Sequence, residues 1–343
     1  MIILGIDTSC DDTSAGIVRD GRHILSNVVH SQVKLHHPYG GVVPELASRE
    51  HLKNIVPVVS DAIQKAGIGM EDLDGIAVTV GPGLVGALLV GLYYAKAVSY
   101  VYNLPMVGIN HLEGHILSIF LEKDVPDFPF VALTVSGGHT NLYHVKGYGQ
   151  YCLMGQTLDD AAGEAFDKVA RILGLGYPGG PVIENLSAAG RENSISFPRA
   201  YLSKDSHDFS FSGLKTAVAL YIKKWHEGDC EKDDVKTSDI AASFQESVVD
   251  VLVQKLLDAS QKTGASSVMA AGGVVCNKRL RARLEEAASS RGVRIYCPRP
   301  DYCTDNGAMI AVAGYHRLLS GERADLSVDV RSKYPTQDLP PII

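Results

Sequence analysis

Two histidines four residues apart, His111 and His115, are spaced to bind one metal ion together. If His111-Leu112-Glu113-Gly114-His115 is helical, both imidazoles lie on one face, with Cβ atoms roughly 5–6 Å apart. Neutral imidazole nitrogens ligate a metal at about 2 Å, so one ion can contact both. The chain has 12 histidines, however, and such a pair also arises by chance on a helix surface. The pair alone leaves both interpretations open.

Asp305 is the natural third ligand for such an ion. It stands in Cys303-Thr304-Asp305-Asn306-Gly307, immediately before a predicted helix over 308–319. Aspartate in that place often caps a helix instead, so capping is the alternative interpretation. Two imidazoles and one carboxylate leave positions on the metal open, as expected where a substrate must bind.

Glu113 argues against one kind of metal enzyme. It lies two residues from each histidine, about 200° around a helix, and is expected to point away from the ion. In HExxH metallopeptidases the glutamate adjoins the first histidine instead. The sequence therefore weakens the hypothesis of a metal-dependent peptidase, and it identifies no residue as a general acid or base.

Polar turns that contain glycine predict where a nucleotide binds. Ser136-Gly137-Gly138-His139-Thr140 is the better phosphate candidate, because its glycines let the backbone approach an anion and no carboxylate repels it. Thr8–Asp12 carries two acidic residues, so it is better suited to binding a cation or to orienting a ligand than to binding phosphate. Ordinary hairpin chemistry explains either turn alone. Two further turns at element ends strengthen the nucleotide interpretation: Ala271-Gly272-Gly273 and Gly176–Pro181.

Alternating strands and helices must position these residues, and they predict an α/β fold. One pattern, strand–turn–strand–turn–strand–helix, occurs twice about 130 residues apart, which favours two lobes of similar architecture. Asp20-Gly21 is a hairpin turn in the first copy. The predicted strands are 2–7, 13–19, 22–29, 74–80, 106–109, 130–135, 141–145, 150–153, 267–271 and 294–297, and the predicted helices include 45–67, 84–102, 111–121, 158–173, 238–264, 277–290 and 308–319.

Length and composition set the class of protein. A chain of 343 residues, 45% hydrophobic and 21% charged, predicts a globular protein of two domains. The net charge of −7 argues against a protein that coats nucleic acid. Lys278, Arg279, Arg281 and Arg283 leave open either a basic patch or an ordinary solvated helix face. Six scattered cysteines without a CxxC pair indicate neither a disulfide framework nor a zinc ribbon, and they favour a reducing, cytoplasmic location.

No secretory or membrane segment is expected. Met1–Ile6 is apolar but lacks a basic segment before it. Residues 76–95 carry no charge and are long enough to span a bilayer. Gly81-Pro82-Gly83 divides them, however, so a buried strand, a turn and a helix are the better interpretation.

Seven motifs together resemble the bacterial TsaD family, whose relatives include the catalytic subunit of the archaeal and eukaryotic KEOPS complex. They occur in the expected order and cover the chain from Ile3 to about Ala313. The motifs are Asp7-Thr8-Ser9-Cys10-Asp11-Asp12-Thr13, Pro44-Glu45-Leu46-Ala47-Ser48-Arg49-Glu50-His51, His111–His115, Val135-Ser136-Gly137-Gly138-His139-Thr140, Gly155–Lys168, Phe209–Lys215 and Cys303–Asn306.

The resemblance implies a fold and an activity. The fold is the two-lobed one shared by actin, Hsp70 and sugar kinases, with duplicated RNase H-like domains. Residues 1–125 would form the first lobe, joined by 304–343, and residues 126–303 the second. The activity is transfer of the threonylcarbamoyl group from threonylcarbamoyl-AMP to N6 of adenosine 37 in tRNAs that read codons beginning with A.

The resemblance also implies which residues form the site. His111, His115 and Asp305 would hold one Fe²⁺ or Zn²⁺ per subunit. KEOPS relatives add a tyrosine ligand where this chain has Thr134, so no tyrosine ligand is expected. The residues implied to contact the adenylate are Thr134, Val135, Ser136, Gly137, Gly138, Asp167, Gly180, Asn277 and Glu184, the last at a position that is often aspartate in the family.

Partners and alternatives complete the set of expectations. The resemblance implies an ATP-type nucleotide as substrate or ligand, the anticodon loop of tRNA, and protein partners like TsaB and TsaE, with no membrane.

An ATPase or sugar kinase of the same fold would explain the nucleotide turns but would leave the metal triad without a role. A metal-dependent peptidase lacks a base beside the metal, and an actin-like scaffold leaves the triad idle.

Overall fold

The computed structural model describes residues 1–201, 206–228 and 234–342. Within them lie ten strands: β1 Ile2–Asp7, β2 Asp12–Arg19, β3 His23–Ser31, β4 Gly75–Gly81, β5 Met106–Asn110, β6 Phe130–Val135, β7 Thr140–Gly147, β8 Gln150–Gln156, β9 Ser267–Ala271 and β10 Arg294–Tyr296. The α-helices described are α1 Val33–His36, α2 Pro44–Ala66, α3 Val85–Tyr102, α4 His111–Leu117, α5 Ala162–Ile172, α6 Gly179–Ser187, α7 Ser212–His226, α8 Thr237–Thr263, α9 Lys278–Ser290, α10 Pro300–Cys303 and α11 Gly307–Leu319.

The chain forms two compact units. Unit 1 contains Met1–Val125, Val145–Tyr151 and Pro298–Ile343, and unit 2 contains Pro126–His144 and Cys152–Cys297. Unit 1 therefore gathers a stretch from each end of the chain. The assignment of 1–125 with 304–343 to one domain and 126–303 to the other stays a prediction.

The sheet of unit 1 has the strand order β3-β2-β1-β4-β5. β1, β2 and β3 pair antiparallel, whereas β4 runs parallel to both β1 and β5. The predicted turn between β2 and β3 is confirmed, since Asp20 and Gly21 both have positive φ, 54° and 63°. Two such residues match the twist of an antiparallel hairpin.

Alternation along β1 places helices on both faces of this sheet. Leu4 and Ile6 lie in the hydrophobic core together with side chains of α2 and α3. Gly5, between them, faces α11, where a Cβ would lie only 2.1 Å from the carbonyl oxygen of Gly307. Only glycine permits this approach, which brings the residues that precede α11 close to the centre of the sheet.

The sheet of unit 2 repeats this topology. Its strand order is β10-β9-β6-β7-β8, which read from the other edge matches that of unit 1 strand for strand. β9 runs parallel to both β6 and β10. The predicted α/β class with two similar halves is therefore present in the described residues.

Helix starts and ends differ from the predictions where distant contacts intervene. α5 begins at Ala162 rather than at 158, because Thr157 forms a bridge with Phe209 and holds the chain extended. The sequence predicts a Gly- and Pro-rich loop over Gly174–Pro181, but Gly179, Gly180 and Pro181 form the first turn of α6. Proline is well tolerated in a first helical turn, where its missing N–H has no helical partner.

Within the described residues, Val85–Tyr102 is the one helix long and apolar enough to cross a membrane by length and composition. It packs with α2 and β4, as a core helix does. The predicted division at Gly81-Pro82-Gly83 is present, since β4 ends at Gly81 and this helix begins at Val85. Among the described residues, Cys10, Cys152, Cys276, Cys297 and Cys303 form no disulfide, and Cys230 lies outside these residues.

Candidate functional site

Helix α4 carries both histidines and is fixed at its first turn. Asn110, the last residue of β5, is its N-cap, and its Oδ1 accepts hydrogen bonds from the N–H groups of Leu112 (2.9 Å) and Glu113 (3.3 Å). Its side-chain amide donates to the carbonyl of Tyr334 at 2.7 Å. The cap satisfies two otherwise unpaired N–H groups, so the helix starts directly at the end of the strand.

His111, His115 and Asp305 converge in unit 1, although Asp305 lies 190 residues after His115. Their ligand atoms all lie within 4.8 Å of one another. Nε2 of His115 is 3.1 Å from Oδ1 of Asp305, and Nε2 of His111 is 3.5 Å from the same oxygen. Both imidazoles are buried. The structure thus brings together the three residues that the sequence proposed as ligands.

The residue that caps α11 is Asn306, not Asp305. Oδ1 of Asn306 accepts a hydrogen bond from the N–H of Met309 at 3.0 Å. Its side-chain amide donates to the carbonyl of Thr304 at 2.8 Å. The alternative interpretation of Asp305 as a helix cap is therefore wrong, because its neighbour fills that place and leaves the Asp305 carboxylate to the histidines.

The charges in this cluster support each other. Burial opposes a charged His111, but Asp305 and Asp7 outweigh burial and hold the pKa of His111 well above its usual range. Burial likewise opposes a charged Asp305, but His111 and His115 hold the pKa of Asp305 well below its usual range. A buried carboxylate that stays ionised beside two imidazoles is suited to a cation.

The donor set fits a transition-metal ion. Ligands at about 2 Å from one ion in tetrahedral geometry are about 3.3 Å apart, so donors within 4.8 Å of one another need to approach by at most roughly 1.5 Å. Two imidazoles and a carboxylate suit iron or zinc and leave positions for a substrate.

Two residues at the end of β1 contact the opposite edge of the His111 ring. Nδ1 of His111 lies 3.2 Å from Oγ of Ser9 and 3.4 Å from Oδ2 of Asp7. Sequence reasoning gave the Thr8–Asp12 turn a cation or orienting role, but it did not single out Asp7. The only signal was that polar turn directly after a buried strand.

Asp12, at the start of β2, is a second acid that the sequence did not single out. Burial, reinforced by the charges of Asp305 and Asp11, raises the pKa of Asp12 to about 7. Its Oδ1 is buried and has no hydrogen-bond partner among the residues that the structure describes.

Glu113 points away from the histidine cluster, as predicted. Its carboxylate pairs with Arg317 through two contacts, Nε–Oε2 at 2.7 Å and Nη2–Oε1 at 2.8 Å, and accepts a hydrogen bond from Tyr151 at 2.9 Å. Glu113 and Arg317 are both buried. A carboxylate held in this way is not available as the base of a peptidase.

The predicted phosphate turn lies in unit 2, directly after β6. The N–H of Ser136 donates to the carbonyl of His139 at 2.8 Å, and the N–H of His139 donates to Oγ of Ser136 at 3.2 Å. A Cβ at Gly137 or Gly138 would meet no atom within 4 Å, so an anion can approach both. Oγ1 of Thr134 is buried without a hydrogen-bond partner in the described part of the chain.

The other predicted adenylate residues adjoin this turn through a series of contacts in unit 2. The N–H of Gly163, in the first turn of α5, donates to the carbonyl of Ser136 at 3.2 Å. One helical turn later, Oδ1 of Asp167 accepts from the N–H of Gly179 at 2.7 Å, which fixes the start of α6. A Cβ at Gly180 would meet no atom within 4 Å.

Glu184 and Asn277 meet at the start of α9. Oε1 of Glu184 accepts from the N–H of Lys278 at 2.8 Å, and Asn277 caps the same helix. The Asn277 amide also donates to Oε1 of Gln245 at 2.7 Å. Asp167 and Glu184 therefore both bind backbone N–H groups at helix starts.

Comparison with known proteins identifies the family. The model of the family described as TsaD: tRNA N6-adenosine threonylcarbamoyltransferase matches residues 23–312. The chain belongs to this family. The tRNA N6-adenosine threonylcarbamoyltransferase of Syntrophotalea carbinolica is 53% identical over 335 residues, covering 98% of this chain and 97% of that protein. The enzyme of the same name from Clostridioides difficile is 50% identical over 329 residues, covering 96% of each chain.

Solved structures confirm the predicted fold class. HypF from T. kodakarensis has a TM-score of 0.63 with 13% identity, covering 93% of this chain and 48% of that one. Component A of (R)-2-hydroxyglutaryl-CoA dehydratase from Acidaminococcus fermentans has a TM-score of 0.54 with 17% identity, covering 93% and 99%. At such identities the likeness concerns the fold alone, which is the actin- and sugar-kinase-like one.

Family membership makes the TsaD chain a transferase that forms the threonylcarbamoyl modification of adenosine in tRNA. The predicted family and enzyme class are confirmed. The peptidase, ATPase or kinase, and scaffold alternatives are not favoured.

Two of the four basic residues in the first half of α9, Arg279 and Arg283, are paired with carboxylates in this TsaD chain. Arg279 pairs with Glu246 at 2.7 Å and with Glu192 at 2.6 Å. Arg283 pairs with Asp250 at 3.0 Å and lies 3.4 Å from Glu246. Cations committed to carboxylates attract phosphates weakly, so an ordinary ion-paired helix face is favoured over a tRNA-binding patch.

Proposed function

We propose that this threonylcarbamoyltransferase uses threonylcarbamoyl-AMP as donor and N6 of adenosine 37 in the tRNA anticodon loop as acceptor, in tRNAs that read codons beginning with A. We further propose that His111, His115 and Asp305 hold one Fe²⁺ or Zn²⁺ per subunit that orients the donor. The observation that carries this proposal is the buried triad, for which an ATPase, a kinase or a scaffold has no use.

The donor must be activated because the exocyclic amine of adenine is a poor nucleophile. In an acyl-adenylate, the bond between the carbamoyl carbon and the phosphate oxygen breaks as the bond from N6 to that carbon forms. AMP leaves with the electron pair, and N6 loses one proton. A bound divalent metal would supply charge at the donor's oxygens and so polarise the carbonyl.

The turn Ser136–Gly138 would bind the phosphate of the adenylate. The space beside its two glycines is open, since a Cβ at either would meet no atom within 4 Å, and backbone N–H groups that an anion can reach stabilise an anionic leaving group. Thr134 and Val135 lead into the turn, while Asp167 and Gly180 would contact the rest of the nucleotide. Glu184 and Asn277 complete the proposed set. The Thr134 hydroxyl is buried and has no hydrogen-bond partner among the described residues, which supports a polar ligand at this place.

Partner proteins like TsaB and TsaE would supply part of the tRNA surface. The net charge of −7 and the ion-paired arginines of α9 support this proposal, because phosphate binding needs unpaired cations. Exposed apolar side chains on α3, Tyr93, Tyr100 and Val101, support a protein-binding face. We propose a cytoplasmic location, because scattered cysteines without a disulfide framework are typical of proteins in a reducing compartment.

Transfer with defined components tests the proposed reaction. The protein and its partners are incubated with synthetic threonylcarbamoyl-AMP and unmodified tRNA, and nucleosides are analysed by mass spectrometry. We expect threonylcarbamoyladenosine at position 37. Peptide cleavage or sugar phosphorylation without modified adenosine would contradict the proposal.

His111→Ala tests the metal in the same assay. Because His111 provides one of three ligands, we expect metal content and transfer to be lost together. His23→Ala, which changes an exposed histidine on β3, is the control and should keep both. Full transfer by His111→Ala without bound metal would exclude a role of the metal in the reaction.

A further inference from the structure

A buried polar chain lies behind His111, on the side away from Asp305. Oγ of Ser9 is 3.2 Å from Nδ1 of His111 and 3.3 Å from Oδ2 of Asp7. The N–H of Ser9 donates to Oδ1 of Asp7 at 3.2 Å. The exposed fractions are 0% for Asp7, 2% for Ser9 and 5% for His111, so bulk solvent does not reach these contacts.

The direction of these hydrogen bonds follows from the chemistry of the groups. An ionised carboxylate only accepts, so the Ser9 hydroxyl donates its proton to Asp7. The Ser9 oxygen can then only accept from the ring, and Asp7 can only accept as well. Both neighbours therefore require a proton on Nδ1 of His111. The lone pair of a neutral ring is left on Nε2, the nitrogen that faces Asp305 at 3.5 Å.

His115 has no such arrangement. Its Nε2 also faces Asp305, at 3.1 Å, but its buried Nδ1 has no hydrogen-bond partner among the described residues. Nothing there selects a tautomer from the far side of the ring. The two histidines differ in this respect although they stand one turn apart on the same helix.

Asp7 is well placed to impose a fixed orientation. It is the last residue of β1, the central strand of the five in unit 1, and pairs with Ser14 of β2 in the ladder. The Ser14 hydroxyl donates to the carbonyl of Asp7 at 3.4 Å. The carboxylate of Asp7 is therefore attached to the central strand of the sheet. His111 is held separately, by the N-cap of α4.

We propose that Asp7, acting with Ser9, is a positioning residue that fixes His111 with the proton on Nδ1 and thereby presents Nε2 to the metal. This rests on the proposed metal site. Carboxylates that orient a ligating imidazole set its tautomer and raise its basicity, and losing one costs about 10- to 100-fold in metal affinity. An amide in place of such a carboxylate can donate to the ring and stabilise the wrong tautomer.

The tautomer of His111 in metal-free protein, measured at a pH high enough for its ring to be neutral, is the direct test. Long-range ¹H–¹⁵N correlation spectra distinguish a protonated Nδ1 from a protonated Nε2, and the His111 signals are assigned by their loss in His111→Ala. We expect a protonated Nδ1 in the wild-type protein. In Asp7→Asn we expect Nε2–H to become populated, while Thr8→Val leaves the ring unchanged. Thr8 is a suitable control because it is buried beside Asp7 but donates to the carbonyl of Ala87.

Zinc affinity, measured by competition with a chelator, is the second readout. We expect Asp7→Asn to weaken binding by about 10- to 100-fold and Ser9→Ala by less, because the direct contact with Asp7 remains. Thr8→Val should bind within about twofold of the wild-type protein.

The outcomes separate this inference from the proposed function. A wild-type His111 protonated on Nε2, or an Asp7→Asn variant with unchanged tautomer and affinity, would overturn the role of Asp7. A wild-type protein that binds neither zinc nor iron would instead overturn the metal site. If Asp7→Asn does not fold, the wild-type spectrum still tests the inference, because protonation of His111 on Nε2 would overturn it.

Discussion

Single atoms decide what the metal site can do. Nε2 of both histidines faces one oxygen of Asp305, and Glu113, within the same five-residue motif, faces the opposite way. Spacing alone predicts these directions, because a helix turns by about 100° per residue. It does not predict that Asp305 joins them, since that depends on how α11 packs against β1. The sequence proposed Asp305 from its place before a predicted helix, and the resemblance implied the same residue. Neither gave Asp7 or Ser9 a role beside His111, because their contacts with His111 depend on where β1 ends.

His316 gives a residue-scale prediction about pH. Burial lowers the pKa of His316 to about 4, and its ring stacks on Tyr148 with centroids 3.7 Å apart. The unfolded chain binds this proton near its ordinary value of about 6.5. Between pH 6.5 and 4 the unfolded state therefore holds more protons, so the free energy of unfolding falls as the pH falls, by about 3 kcal/mol from this group.

Urea unfolding of metal-free protein at pH 7 and at pH 4.5 measures this effect. His316→Phe keeps an aromatic ring against Tyr148 but cannot titrate, so we expect it to lose less stability on acidification than the wild-type protein. Equal losses in both proteins would show that His316 does not carry this dependence.

At the scale of elements, a buried ion pair joins the metal-binding helix α4 to α11. Glu113 pairs with Arg317, and Gly114 beside it lets Ile310 approach, since a Cβ there would lie 2.8 Å from Cδ1 of Ile310. Glu113 and Gly114, both between the two histidines, thus attach α4 to α11, the helix that follows Asp305. This attachment holds the histidines of α4 close to Asp305.

Glu113→Met tests that ion pair. The change removes both carboxylate oxygens and leaves the buried Arg317 without its main partner, so we expect a loss of about 3–5 kcal/mol in the free energy of unfolding. The matched control is Glu322→Met, which removes the other partner of Arg317 at the protein surface, where about 1 kcal/mol or less is expected. A smaller loss for Glu113→Met than for Glu322→Met in urea unfolding would contradict this account.

The bounds of the helices and strands show where the local sequence is sufficient to predict the structure. The hairpin at Asp20-Gly21 and the strand Phe130–Val135 follow from local patterns, because turn residues and a buried apolar run fix them. The start of α5 does not, because a bridge between Thr157 and Phe209, far apart in sequence, keeps the intervening chain out of the helix. Contacts of that separation leave no local signal.

For the whole molecule, the repeated strand order is the feature that the sequence anticipated best. Both sheets place three consecutive strands beside two parallel ones, and the sequence shows this as a repeated order of elements rather than as repeated residues. The sequence does not predict that apolar residues of α3 are exposed, because a hydrophobic helix is expected to be buried. Tyr100 is 76% exposed and Val101 72% exposed.

Tyr100→Asp tests whether this face of α3 binds a TsaB-like partner. A charge in an apolar interface costs affinity, so we expect binding, measured by calorimetry with purified partner, to weaken at least tenfold. Leu319→Asp is the control, because Leu319 is similarly exposed at 63% but lies on α11, which packs on the other face of the sheet. Equal affinity of both variants would place the partner elsewhere.

The central claim is that the buried triad holds one metal ion that transfer requires. Metal is first removed from the protein, which is then combined with its partners, threonylcarbamoyl-AMP and unmodified tRNA. This mixture is titrated with Fe²⁺ or Zn²⁺, and threonylcarbamoyladenosine is quantified by mass spectrometry. We predict almost no product without metal and a rise that saturates at one ion per chain. Full product formation by metal-free protein would contradict the claim.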